Sequence, residues 1–412
     1  MNKPSADIQE NKFASEEISK IKMPITAIII NGGMGKRLRP LSIHKVKCMV
    51  PFMGRPLQEY QIQQLEKSGI KNIIFSSSGR KNEVRDYFGN GKKFGVSIKY
   101  FHEKSWYHTA NTVKEIVLKY GSHITNPFMV IYGDSLVHAS YQDMIDFHKM
   151  NAAQITVLHH SLNFASFLYE YHDVSLKKNE PRTNYGVMKI KPGGRISFFK
   201  EKPRLSEIKR PGLVANAAVY ILNKEVLNDV PVHSPCDFGR DLFPKLPGAG
   251  IKFFGFDAGL QGYRIDIGTL NNYYHAHLAV LDQILDFEHY FPQKKKKVWI
   301  GAHSAVVLDN DFIRKTVIAE NTTIKKNTKI QTSVIGNHVT IGEACCIRGS
   351  IIHDRVQIGD HVTIENSIIG EDVLIGENTY VPSRTVLGTF CKIGDGQWGF
   401  NKENFYGQIK RI

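Results

Sequence analysis

Apolar residues follow two different rhythms along the 412-residue chain. From Ile25 to about Asp286, short apolar runs alternate with amphipathic stretches. ITAIII at 25–30, NIIFSS at 72–77, VSIKYFH at 96–102 and FMVIYG at 128–133 read as strands. Between them PLQEYQIQQLEKSG, KNEVRDYFGN and TANTVKEIVLKYG read as helices. In the first of these Pro56 suits the opening turn, Leu57, Tyr60 and Leu65 fall near one face, and Gly69 stops the helix. Strand, helix, strand in that order predicts an α/β domain: a mostly parallel sheet covered by helices, with ligands at the carboxyl ends of its strands.

Beyond FPQKKKKVW at 291–299 the period becomes six. Apolar residues recur at Ile300, Val306, Phe312, Ile318, Ile324 and Ile330; a step of five leads to Ile335, Ile341 and Ile347. Another such step gives Ile352, Ile358 and Ile364, and a third gives Ile369, Ile375, Val381, Leu387 and Ile393. This period is neither helical nor simple strand alternation. It marks a parallel β-helix, of either hand, in which each hexad forms one face of a coil. The aromatic tail at Trp398, Phe400, Phe405 and Tyr406 is expected to cap its open end. The chain thus divides into an N-terminal extension 1–22, a sheet domain 23–290, a basic linker 291–297, a β-helix 298–395 and a cap 396–412.

Composition narrows the partners. A net charge of +15 points to phosphate-rich ligands. The lysine run at 294–297 has no interleaved aromatics and reads as a solvated linker, and no nucleic-acid-binding motif is present, so no nucleic-acid partner is expected. Nothing approaches the roughly 20 apolar residues of a membrane helix, and the polar N-terminus lacks a signal-peptide core, so a cytoplasmic protein without a membrane partner is expected. Cys48, Cys236, Cys345, Cys346 and Cys391 are scattered and contain no CxxC pair, which argues against a disulfide framework or a zinc site.

The candidate chemistry begins where the first strand ends, at NGGMGKRLRPLS (31–42). Glycines there let backbone N–H groups approach an anion, and Arg37 adds a planar fork for phosphate oxygens. The spacing fits neither a Walker A loop nor a G-x-G-x-x-G turn. On this segment alone, a glycine-rich turn with exposed basic residues serves equally well.

The surrounding segments favour a ligand. The loop resembles the G-G-x-G-T-R-L-x-P-L-T signature of the sugar-1-phosphate nucleotidyltransferases. KVKCMVPFMGRP (45–56), DYFGNGKKFGVSIKYFHE (86–103), HTAN (108–111), YGDS (132–135), NYGVMKI (184–190), FKEKP (199–203), VANAAVYIL (214–222) and YRIDIGTLNNYYHAH (263–277) are similar, in order, to further motifs of that family. The resemblance implies a Rossmann-like nucleotidyltransferase domain followed by a left-handed parallel β-helix. The reaction it implies joins a nucleoside triphosphate to a sugar 1-phosphate and releases pyrophosphate. The sugar phosphate is already anionic, so its attack on the α-phosphorus needs charge screening and alignment rather than a general base.

By the same resemblance, the backbone of Gly32, Gly33 and Gly35 would cradle the nucleotide, with Thr109 and Gly133 nearby. Arg37 and Lys47 would act on the phosphates, and Asp134 and Asp266 would hold Mg²⁺. Gly186, Glu201, Lys202 and Asn216 would form the sugar-phosphate pocket. GTP with mannose 1-phosphate is the first expectation, dTTP with glucose 1-phosphate the next, and no residue singles out the base. A homo-oligomer assembled through the β-helix is also expected. Several positions depart from the pattern: Lys36 replaces a threonine, Val46 and Cys48 replace the prolines flanking the lysine, His108 and Asn111 replace glycines, and Ala218 replaces a glycine. Two other readings compete. One is a non-catalytic regulatory paralogue, although the arginine, lysine and both aspartates are retained. The other is a bifunctional enzyme whose β-helix transfers an acyl group, with His303, His338, His353 and His361 as candidate bases.

Overall fold

The computed structural model describes the chain outside residues 1–23, 34, 78–80, 104–107, 163–181, 209–210, 232–233, 260–262, 283–296, 307–311, 398–404 and 407. The expected N-terminal extension, most of the basic linker, Trp398 and Phe400 lie outside the described residues.

The first strand, β1 (Thr26–Ile30), is buried along its whole length. It lies between β2 (Asn72–Ser77) and a later strand at Phe128–Tyr132, parallel to both, with Ala27 paired to Ile73 on one side and to Met129 on the other. Alternate side chains feed two cores: Ile28 and Ile30 point to one, Ala27 and Ile29 to the other. Both faces are therefore covered, which is why this strand reads as a continuous apolar run. Helices α1 (Leu57–Lys67) and α2 (Lys81–Phe88) cover one face through Ile62, Leu65, Val84 and Phe88. Beyond β3 (Ser97–His102), which pairs in parallel with β2, helix α3 (Thr109–Tyr120) covers the other face through Val113 and Ile116.

After β4 (Phe128–Tyr132) and the short β5 (Ser135–His138), the chain forms α4 (Tyr141–Met150) and β6 (Ile155–Ser161). Strands β7 (Val187–Ile190), β8 (Ile196–Lys200), β9 (Leu213–Leu222) and β10 (Phe253–Asp257) complete the nine-stranded sheet. Its path runs β8-β7-β9-β4-β1-β2-β3, with β6 joining β9 to β10. The sheet is mixed: β9 pairs antiparallel with β4, β6 and β7. Only the half around β1 has the all-parallel character that the helix–strand alternation predicts, because its crossovers are the helices read from sequence. Strand β11 (Tyr263–Asp266) pairs with β5 and leads into α5 (Leu270–Leu281), whose N-cap Thr269 accepts from Asn272 N–H at 3.2 Å.

The C-terminal region is a parallel β-helix. Ile318, Ile335, Ile352, Ile369 and Leu387 stack in register; so do Ile324, Ile341, Ile358, Ile375 and Ile393, and Ile330, Ile347, Ile364 and Val381. These stacks are its core. The five-residue steps of the sequence fall at one corner of the coil in its rungs of 17 residues, while the rung from Ile369 to Leu387 has 18 and no such step. Corner residues such as Asn321, Asn327, His338 and Arg355 adopt left-handed backbone angles. Of the histidines considered for acyl transfer, His303, His338 and His361 occupy such corners, and His353 is buried against the sheet domain. The tail ends the stack by reversing direction: Phe405–Tyr406 pairs antiparallel with Lys392–Ile393, and Ile409–Arg411 with Thr385–Leu387.

The two regions share a core. An outward ladder on the coil, Val317, Val334, Ile351, Ile368 and Val386, packs with Leu270, Tyr273 and Tyr274 of α5. Leu38, Leu41, Val50, Phe52 and Met53, from the loop that follows β1, are buried in the same cluster.

Candidate active site

The loop after β1 carries two single 3-10 turns, Lys36–Leu38 and Lys47–Met49. Leu38, Cys48 and Met49 are buried in these turns, so the neighbouring basic side chains project from an anchored backbone. Gly35, at φ 59°, packs against Ser42 and the Lys47 stem, where a side chain would be both strained and crowded. From the second turn Lys47 Nζ reaches Asp134 Oδ2 at 2.6 Å, just beyond the end of β4. Burial alone would raise the Asp134 carboxyl. Lys47, with help from Arg264 and Ser135, outweighs it and lowers the pKa to about 2.

Gly268 marks where the charges converge. The point at which a side chain on it would begin lies 2.7 Å from Asp266 Oδ1, 3.1 Å from Lys47 Nζ and 3.3 Å from Arg37 Nη2. Asp266 Oδ1 accepts from Gly268 N–H at 2.6 Å, and its Oδ2 pairs with Arg264 Nη2 at 2.9 Å. Arg37 Nη1 also donates to Asn184 Oδ1 at 3.3 Å. The four groups singled out from sequence therefore meet at one end of the parallel strands.

Two of the four, Lys47 and Asp134, line a cavity of about 370 Å³, with Gly32, Gly33, Thr109 and Gly133 among others. Thr109 opens α3, donates to Asp237 Oδ2 at 2.8 Å and accepts from Phe238 N–H at 3.1 Å. The Asn111 amide ties down the neighbouring chain, donating to Pro231 O at 2.6 Å and accepting from Cys236 N–H at 2.5 Å.

The expected sugar residues flank this cavity rather than line it. Gly186 and Asn216 are joined by a 2.9 Å backbone bond between β7 and β9. The Asn216 side chain serves its own strand, accepting from Ala218 N–H and donating to Tyr220 OH, both at 2.9 Å. The Glu201 carboxylate lies between Gly186 and Gly239, within 2.6 Å of where their side chains would begin. Burial pushes the Glu201 carboxyl up, and Lys202 is the leading opposing charge. Lys202 itself has a left-handed backbone and hangs from Tyr185 O at 3.1 Å.

Two residues of this site were not singled out in the sequence. Glu103 ends the run after β3 and lines the cavity; it is buried, and its Oε1 has no hydrogen-bond partner among the described residues. Burial raises its carboxyl against hydrogen bonds with Ser76 and Thr112. An acid directly after a strand as mixed as SIKYFH gave no signal of its own. Arg264 bonds Asp266 and Ser135 and acts electrostatically on both Asp134 and Glu201, linking the two halves of the site. It stands where the W-x-D-I-G-T motif of the resemblance has its tryptophan, and that departure was its signal.

Among the described residues, no three acids, histidines or cysteines form a preassembled metal cage. Asp134 and Asp266 offer an all-oxygen pair beside Lys47, a donor set that suits a hard divalent ion completing its shell with water and phosphate oxygens.

Comparison with known proteins adds to this geometry. Residues 26–283 match the family described as Nucleotidyl transferase, and residues 295–397 match the EIF2B subunit epsilon LbH domain. The latter match makes the coil a left-handed β-helix, a hand that the apolar period leaves open. The chain is 30% identical to mannose-1-phosphate guanyltransferase of Yarrowia lipolytica over 58% of its own length and 60% of that relative's. It is 27% identical to UTP–glucose-1-phosphate uridylyltransferase of Synechocystis sp. over 62% and 63%, and to mannose-1-phosphate guanylyltransferase of Mycobacterium tuberculosis over 60% and 61%. The chain thus spans about three fifths of the length of the relatives it matches.

Proposed function

From the premise that the chain belongs to the nucleotidyl transferase family, we propose that it joins a nucleoside triphosphate to a sugar 1-phosphate and releases pyrophosphate. The observation that carries this reading is the gathering of Arg37, Lys47 and Asp266 around Gly268, with Asp134 on the same lysine. A phosphate oxygen of the sugar 1-phosphate forms the new bond to the α-phosphorus as the bond to the β-phosphate oxygen breaks. No proton moves. Lys47 neutralises charge at the reacting phosphate and Arg37 takes up the charge of the leaving pyrophosphate. The glycine backbone fixes the triphosphate, and Glu201 and Lys202 hold the sugar 1-phosphate beside it. Asp134 and Asp266 would hold Mg²⁺, whose contribution is further charge screening.

Glu103 favours GTP. Guanine presents two adjacent N–H donors to a carboxylate. Thymine and uracil present one, flanked by carbonyl oxygens that a carboxylate repels. With GTP, mannose 1-phosphate is the first sugar to try, as the names of two relatives suggest. The test is pyrophosphate release with Mg²⁺ across a panel of triphosphates and sugar 1-phosphates. Release greatest with GTP, and a loss of that preference in Glu103→Gln, are expected. Silence across the panel contradicts the reading; equal use of UTP and GTP contradicts the base assignment. We also assign to the β-helix the contacts of a homo-oligomer, which light scattering on the full chain checks.

A further inference from the structure

Three consecutive residues in the loop after β1 are each held by a carboxylate from a different part of the fold. Lys45 Nζ pairs with Glu371 of the β-helix. Val46 N–H donates to Glu83 Oε2 of α2 at 2.7 Å, and Lys47 Nζ to Asp134 Oδ2 at 2.6 Å. The second bond depends on this sequence, since a proline at position 46 would have no N–H to give. Glu371 is itself fixed: its side chain is 8% exposed and its other oxygen accepts from Arg355 Nη2 at 2.9 Å. Arg355 is held in turn by both oxygens of Asp372, at 2.7 and 2.9 Å. Lys45 cannot swing away without leaving a buried carboxylate short of a partner.

Helix α5 and the β-helix together hold the far side of the turn. Tyr273 OH donates to Pro51 O and shares a 2.8 Å bond with His353 Nε2, and Asn337 Nδ2 donates to Gly54 O at 3.1 Å. Between these anchors lies Lys47–Met49, a single 3-10 turn closed by Met49 N to Val46 O and Val50 N to Lys47 O. So short a turn does not set its own position; its anchors do.

We propose that Glu371 is a positioning residue for Lys47, acting through Lys45, so that the β-helix fixes the place of a phosphate-binding group in the sheet domain. This rests on the nucleotidyl-transfer reading above. The test compares full-length wild type, Glu371→Gln, Lys45→Met and the double variant in steady-state pyrophosphate release and thermal melting. Lys45→Met removes the same pair from a partly exposed partner and guards against a folding defect at Glu371. Misplacement of the lysine predicts a fall in kcat of up to about 10²-fold in each single variant. The KM for sugar 1-phosphate should stay close to wild type, the Tm should fall by no more than a few degrees, most in Lys45→Met, which leaves Glu371 short of a partner, and the kcat of the double variant should be no worse than that of either single one. Wild-type kcat in the single variants, losses that multiply in the double variant, or losses matched by a collapse of Tm overturn the proposal. A silent wild type sinks the nucleotidyl-transfer reading itself; an active wild type with unaffected variants sinks only this inference.

Discussion

In the β-helix, residues one rung apart repeat the same contact coil after coil: Ile330 on Ile347 on Ile364. At the phosphate site, Arg37, Lys47, Asp134 and Asp266 arrive from three separate segments and meet once. The first arrangement spreads its stability over many equivalent neighbours, so damage stays between adjacent rungs. The second has no redundancy, because each charge faces a different part of one substrate. The two meet in the shared core, where the ladder on the coil packs against α5 and the loop carrying Lys47.

Cutting a rung is the harshest way to break this comparison. Ile347→Ala removes a fully buried side chain from the stack and should lower stability by about 2–5 kcal/mol, read by denaturant unfolding. The kcat of the folded fraction should not change, because Ile347 lies inside the coil and not on the ladder facing α5. A fall in kcat at full folding would mean that the interior of the coil is coupled to the site as tightly as its wall.

Acid probes both regions more gradually, each group contributing less per pH unit than the loss of a rung side chain. His160 in the sheet domain, with His277 and His353 where the two regions meet, are buried, and desolvation is the leading cause that lowers their pKa values, to about 4, 3 and 3. Below their ordinary value of 6.5 the unfolded chain takes up protons at these histidines while the folded protein does not. Stability therefore falls as pH drops from 6.5 towards 4, by up to about 1 kcal/mol per pH unit for each group. Asp134 works in a lower window. Its depressed pKa stabilises the fold above 3.8 and ceases to do so as pH falls towards 2. A Tm that is flat between pH 6.5 and about 5 would contradict the burial of these imidazoles.

The same contrast explains what could be read from sequence. The coil was legible residue by residue because its contacts recur at fixed spacing, and even the five-residue steps mark its corners. The strands and helices around β1 were equally plain, since their apolar runs and stop signals are local. The antiparallel half of the sheet was not, because β9 pairs with three strands that nothing near it in the chain identifies. At the site, the four charged residues stood inside recognisable motifs. Glu103 and Arg264 lay inside matched segments too, but their meaning comes from an unpartnered oxygen in a cavity and from a bond to Asp266. The bond of Glu371 to Lys45 joins distant segments and leaves no local trace.

Turnover by Lys47→Gln beside wild type shows whether these convergent charges serve phosphoryl transfer. With Mg²⁺, GTP and mannose 1-phosphate, wild type should release pyrophosphate only when both substrates are present, and the variant about 10²–10³-fold more slowly at unchanged Tm, as a phosphoryl-transfer role for Lys47 requires. Undiminished release by a folded Lys47→Gln protein would contradict it.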